Sequence, residues 1–234
     1  MHLRLDFCTH DAARYAVTHW HYSKSVPSGK LVKIGVWEDD QFKGCVIYSY
    51  GANRNLAKWF KLPQTQVCEL TRVALRDHVT PVSKILSISL KLLHKQSPGI
   101  KVVVSYADTE QGHLGKIYQA SNWLYVGPIQ EGMQSAFIIH GRKMHPRTAG
   151  AKGWIQSLPW LKEHIDPNAS LVRSTGKHKY LWFFDDELRK RFEPLKKKYP
   201  TCVASETSDT PCIRQGKGGA APTATLKVKL KEKA

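Results

Sequence analysis

An α/β fold, with a central, twisted mixed sheet flanked by helices and a basic C-terminal extension, is what this sequence predicts. Three observations lead there. At 234 residues the chain is long enough to bury one sizeable core. Its first 140 residues alternate short β-rich runs with segments of helical periodicity. One run, Ile100 to Tyr106, is almost wholly apolar and β-branched, as a strand buried on both faces of a central sheet must be. A composition 41% hydrophobic and 24% charged excludes disordered and collagen-like chains and agrees with a folded protein.

Leu3 to Phe7 predicts the first strand. Thr9 to Trp20 opens on a cap-type Thr or Asp and carries Ala12, Tyr15, Ala16 and Trp20 at helical spacing. A loop follows with Tyr22, Ser23, Ser25, Pro27, Ser28 and Gly29. Leu31 to Trp37 and Phe42 to Tyr50 read as two strands joined by the polar turn Glu38-Asp39-Asp40, an antiparallel hairpin. After a basic loop, Gln66 to Leu75 predicts another strand. Thr80-Pro81 supplies an N-cap and a first-position proline, and Val82, Ile85, Leu86, Ser89, Leu92 and Leu93 form one face of a helix ending before Ser97-Pro98-Gly99. Beyond the buried strand, Gly112 to Ser121 predicts a short amphipathic helix, and Trp123 to Gly127 and Ala136 to Ile139 two last strands. The order β-α-β-β-β-α-β-α-β-β resembles the GNAT acyltransferase fold. That resemblance implies fourth and fifth strands that splay apart to admit an acyl donor, and a following loop whose backbone amides hold the donor's pyrophosphate. Here that loop, Arg76 to Ser83, has none of the glycines of the usual coenzyme A loop.

Charge is the unusual term. A net +17 points to a polyanionic partner, and it divides as +6 over residues 1–140, +8 over 141–200 and +3 over 201–234. The expected organisation is therefore a GNAT-like catalytic core over 1–140, a basic extension over 141–200 packed on it for nucleic-acid contact, and a flexible basic tail over 201–234. The longest apolar runs fall short of the roughly 20 residues that span a bilayer, and the N-terminus lacks a signal-peptide pattern. No membrane partner and a cytoplasmic location are expected. Cys8, Cys45, Cys68, Cys202 and Cys212 are odd in number and lack Cys-x-x-Cys spacing, which argues against a disulfide framework or a structural zinc site.

Several separated motifs carry a more specific resemblance. They are His19-Trp20-His21-Tyr22-Ser23, Gly51-Ala52-Asn53-Arg54-Asn55-Leu56, Glu69-Leu70-Thr71-Arg72-Val73-Ala74-Leu75 and Ser105-Tyr106-Ala107-Asp108. Gly112-His113-Leu114-Gly115-Lys116-Ile117-Tyr118-Gln119-Ala120-Ser121-Asn122-Trp123 and Gly176-Lys177-His178-Lys179-Tyr180-Leu181 continue the series. In this order they resemble the bacteriophage Mom family, which hypermodifies adenine in phage DNA and so blocks host restriction. The resemblance implies a product bearing a carbamoylmethyl group on the adenine amine, an active constellation of Tyr22, Asp108 and Tyr118, and iron(II) as a candidate participant. It also implies His21, Arg54, Arg72, Ser105, Lys177 and Lys179 as candidate substrate contacts.

The residues themselves leave alternatives open. Asp108, at the end of the buried strand, can accept a proton or orient an amine, or simply cap the next helix. Tyr118 can act as a general acid or pack as a buried aromatic against Trp123. A His-x-His pair with a distant Asp can bind metal, and equally can be structural. Glu69 and Arg72 can form an ion pair, although residues three apart on a regular strand point to opposite faces. Basic and aromatic residues interleave in Arg54, Lys58, Trp59, Phe60 and Lys61 and again from Lys177 to Phe183, a pattern that neutralises phosphates and stacks on bases. Arg142, Lys143, Arg147 and Lys152 extend the positive surface.

A carbamoylmethyl group is CH2-CO-NH2, whereas an acetyl group is CO-CH3, so acetyl transfer alone cannot complete the product. Candidate donors are glycyl-tRNA, which makes tRNA a candidate partner, and acetyl-CoA with an additional metal-dependent step. Either way the target amine sits in a stacked duplex, so the base must be flipped out or presented single-stranded. Two other classes stay open: an ordinary GNAT enzyme acetylating a protein or small-molecule amine, and a non-catalytic DNA-binding protein.

Overall fold

The computed structural model describes residues 2–51, 53, 55–129, 135–173 and 176–201. In chain order these form β1 (Leu3–Phe7), α1 (His10–Trp20), β2 (Leu31–Glu38), β3 (Gln41–Ser49), α2 (Leu56–Phe60), β4 (Val67–Leu75), α3 (Val82–Gln96), β5 (Val102–Asp108) and α4 (Lys116–Gln119). Then come β6 (Leu124–Ile129), β7 (Ser135–Ile139), β8 (Arg142–Met144), α5 (Pro146–Ala151), α6 (Leu158–His164), β9 (Ser170–Arg173), β10 (Lys177–Phe183) and α7 (Asp186–Phe192). The main sheet has seven strands in the order β1-β2-β3-β4-β5-β10-β6. It is mixed, since β4 and β5 pair in parallel and their neighbours are antiparallel. No described helix is long and apolar enough to cross a membrane.

Both faces of the sheet are covered. Ile85, Leu86, Leu90 and Leu93 of α3 pack on one face against Ile34, Val46, Cys68, Leu70 and Val103. The opposite face buries Ala13, Ala16 and Val17 of α1 against Cys45, Ile47 and Ala74, and α2 and α7 against Val102, Val104 and Leu181. Val102, Val103 and Val104 are all fully buried, the outcome expected of an uninterrupted β-branched run in a central strand. Thr9 caps α1 by accepting from the Ala12 amide and His21 ends it in an extended conformation. The short stretch carrying His21 and Tyr22 is thereby aimed across the sheet from a helix seated on it.

The expected division at residue 140 does not hold. β7, read as the last strand of the core, leaves the main sheet and forms a second sheet in the order β8-β7-β9. That sheet packs with α6 around Phe137, Ile139, Leu161 and Ala169. β10, assigned to the extension, instead inserts between β5 and β6, with register pairs running from Lys177↔Asp108 to Phe183↔Val102. Neighbours in sequence usually pair, but here β10 pairs with β5 along its whole length and buries Tyr180, Leu181 and Phe183 in the core. Arg142, Lys143, Lys152, Lys162 and Arg173 of the inserted segment are exposed, so the basic surface expected there exists on an excursion from the core. The tail expected over 201–234 lies, apart from Thr201, outside the described residues, as do Cys202 and Cys212.

The turn into α3 also differs from expectation. Pro81 stands at the N-cap with no side-chain cap, and the helix starts at Val82. The amides of Val79 and Thr80 are instead held by the buried Glu38 carboxylate at 2.8 and 2.7 Å. Burial alone raises the pKa of Glu38, but the hydrogen bonds from Thr80 and Val79 outweigh it and the net value lies below the usual carboxylate. A folded-state value below the unfolded one means stability that is present above the unfolded pKa and disappears as pH falls through the folded one. Glu38→Gln is therefore expected to cost about 2 kcal/mol at pH 7. In urea melts the difference from the unsubstituted chain should narrow as pH falls through the folded-state value of Glu38, and a gap independent of pH would contradict the assignment.

Candidate active site

The sheet is open at one place. β4 and β5 pair only from Val67↔Val102 to Leu70↔Ser105, yet β4 runs on to Leu75 and β5 to Asp108. A β-bulge sits at the point of divergence, where Ile47 faces Arg72 and the next residue, Tyr48, faces Leu70, leaving Thr71 as the extra residue on β4. One extra residue inverts the alternation. Cys68 and Leu70 share a face with Val73 and Leu75, against α3, so Glu69 and Arg72 both fall on the opposite face. The regular-strand argument separating them thus fails for a local reason, and Glu69's charge raises the pKa of Arg72 against the larger lowering by burial.

Tyr22 reaches this opening from the end of α1. Its pKa is raised by burial first, then by the charge of Asp108 and by the hydrogen bond to that carboxylate, while Arg72 opposes the shift. His21 stacks on Tyr22 with ring centroids 4.3 Å apart and has its Nδ1 2.9 Å from Ser23 Oγ. Burial, with the nearby Arg72, His113 and Lys24, lowers its pKa to about 4, so it is neutral at pH 7. Arg72 Nε donates to the Ser25 carbonyl at 3.1 Å and fastens the same loop to β4.

Asp108 takes the capping role among those open to it. One oxygen accepts from the Glu110 amide at 3.1 Å, capping the short 3-10 turn Thr109–Gln111. The carboxylate also faces Tyr22 and lies 4.0 Å from Lys177 Nζ on the paired strand β10. Below the opening, the Tyr118 hydroxyl is 2.8 Å from Ser105 Oγ, which also reaches the Leu70 carbonyl at 3.1 Å. The Tyr118 ring packs against Trp123 and Tyr180, each 5.1 Å away, as the packing reading expects. Burial pushes the Tyr118 pKa up to about 12; Ser105 lowers it, and Tyr22 and Glu69 raise it. Tyr22, Asp108, Ser105 and Tyr118 thus share one opening with His21, Arg72 and Lys177.

A profile of the Mom protein family matches residues 2–201. The chain belongs to the Mom protein family. A relative from Escherichia phage Mu, methylcarbamoylase mom, is 25% identical over 194 residues, covering 81% of this chain and 78% of the relative. Two crystal structures of aminoglycoside acetyltransferase AAC(6')-Ib, one with coenzyme A and kanamycin and one with coenzyme A, are similar at a TM-score of 0.45 and 9% identity. They cover 81% of this chain and 98% of theirs.

One expected contact of the Mom-family chain stands apart. Lys179 lies on the same face of β10 as Lys177, but its Nζ sits 3.4 Å from the centroid of the Trp59 ring, and burial lowers its pKa to about 8. Arg54 lies outside the described residues. His113 is visible in the sequence only as part of the Gly112-His113 motif, and Glu69 only as a possible ion-pair partner of Arg72.

Iron(II) finds no group of three or more His, Cys, Asp or Glu side chains among the described residues. His19 is instead engaged by the Tyr15 carbonyl and ring. The loop leading into α3 engages part of its backbone internally. Its Arg76 amide goes to Lys43, those of Val79 and Thr80 to Glu38, and Pro81 has none.

Proposed function

We propose that this chain is a transferase that acylates the exocyclic N6 amine of adenine in phage DNA, on the way to N6-carbamoylmethyladenine and protection from host restriction. The observation that carries this reading is the meeting of Tyr22, Asp108 and Tyr118 at the divergence of β4 and β5. Asp108 orients the amine by accepting one of its hydrogens. Tyr118, protonated at neutral pH, hands its proton to the departing group as the carbonyl–donor bond breaks. Ser105 can then swing its own hydrogen from the Leu70 carbonyl to the tyrosine oxygen and stabilise the phenolate until solvent reprotonates it. Arg72, Lys177 and the exposed basic residues of the inserted segment hold phosphates around a flipped base.

The donor that suits this site best is glycyl-tRNA. Aminolysis of its ester by N6 gives N6-glycyladenine and free tRNA. The glycyl amine then attacks ring carbon C6 through a five-membered spiro intermediate, and cleavage of the original C6–N6 bond turns that nitrogen into the terminal amide. The second step is an isomerisation, so no atom or electron is gained or lost. The glycine-free, internally capped loop before α3 favours this donor over acetyl-CoA. Incubating purified protein with adenine-containing DNA and labelled glycyl-tRNA should place label in adenine nucleosides by mass spectrometry. Absence of label where cell extract supports modification would overturn the donor, and absence of modified adenine in cells expressing the chain would overturn the function.

A further inference from the structure

We propose that His113 is the proton acceptor for the attacking adenine amine, a role distinct from the orienting role of Asp108. The inference rests on the transferase reading above and adds a residue to it. When N6 bonds to the donor carbonyl it becomes positively charged, and the adduct reverts unless a base removes a proton. Asp108 is poorly placed to be that base, because its oxygens already take hydrogens from Tyr22 and the Glu110 amide and face Lys177.

His113 has the opposite situation. Gly112, at φ +66°, closes the 3-10 turn, and the His113 amide donates to the Asp108 carbonyl at 3.1 Å. The backbone therefore folds back so that the imidazole meets the edge of Tyr22, with centroids 5.8 Å apart. No hydrogen bond to its ring nitrogens is found among the described residues. The titratable groups facing it are His21 and Tyr22 from the end of α1 and Asp108 from β5, with Lys177 of β10 behind Asp108. Burial lowers its pKa more than Asp108 raises it, so the ring is neutral at pH 7 and one nitrogen lone pair is available.

One N6 proton thus moves to His113 as the N–C bond forms, and one proton moves from Tyr118 to the leaving group as the old bond breaks. Solvent returns each residue to its starting state, and the net change is replacement of an N–H by an N–acyl bond.

The test uses the full chain, duplex DNA and host-cell extract as donor source, with modified adenine read by nucleoside mass spectrometry. His113→Gln and His113→Ala should each lower the initial rate about 100-fold with DNA affinity within about twofold of the unsubstituted chain. Imidazole should restore the alanine variant at least about tenfold, and the acid limb of the pH profile, falling below the ordinary histidine value of about 6.5, should vanish in both variants. A glutamine variant within about threefold of the original rate, or one retaining that acid limb, overturns the proposal alone. An inactive unsubstituted chain overturns the transferase reading and this proposal with it.

Discussion

Asp108→Asn is expected to lower adenine modification about 1,000-fold while the protein remains folded and bound to DNA. The amide oxygen of asparagine can still accept from the Glu110 amide, so the turn after β5 keeps its cap. What disappears is the negative charge facing Tyr22 and Lys177. An asparagine side chain has one acceptor oxygen, and once that is given to Glu110 its NH2 group faces the adenine amine, donor against donor. The amine then loses both its orientation and the charge that favours its developing positive centre. Nucleoside mass spectrometry on plasmid from cells expressing the variant measures the loss. DNA affinity across a salt series should keep its slope, because Arg72 and the exposed Lys and Arg residues are untouched. More than a tenth of the original conversion would remove Asp108 from the chemistry.

Tyr118→Phe is expected to cost roughly 100-fold in rate and only about 1 kcal/mol in stability. The ring keeps its contacts with Trp123 and Tyr180, and Ser105 keeps the Leu70 carbonyl, so no buried donor is orphaned. The lost function is proton delivery to the leaving group, which matters most when that group is strongly basic. The deficit should therefore shrink with an activated donor ester whose leaving group departs as a stable anion, measured as the rate ratio of original to variant for the two donors. A ratio identical for both donors would mean that Tyr118 acts through packing rather than as an acid.

The strand and helix succession was legible because hydrophobic period is local. The buried run before Asp108 and the hairpin around Asp39 and Asp40 both announce themselves in a window of ten residues, and both formed within one or two residues of expectation. Tyr22, Asp108 and Tyr118 were legible through motifs. Their shared opening was not, since it depends on where two strands part. Glu69 illustrates the limit. Its neighbours predict a regular strand, on which it opposes Arg72, and only the extra residue at Thr71, set by pairing with β3, turns both to one side. The α3 turn was misjudged for a related reason: Thr80-Pro81 is a good local cap signal, but a carboxylate 42 residues earlier satisfies the amides first.

Sequence alone determined the α/β class and the basic character, because each depends on composition or on contacts within a few positions. Tertiary structure decided the membership of the sheet and the makeup of the site. β10 enters between β5 and β6, and Lys177 arrives beside Asp108, because burying Tyr180, Leu181 and Phe183 on the two faces of the sheet and pairing the strand's backbone outweighs the loop-closure entropy of bringing distant segments together, which grows only slowly with length. No local pattern encodes which of several apolar runs will fill that place.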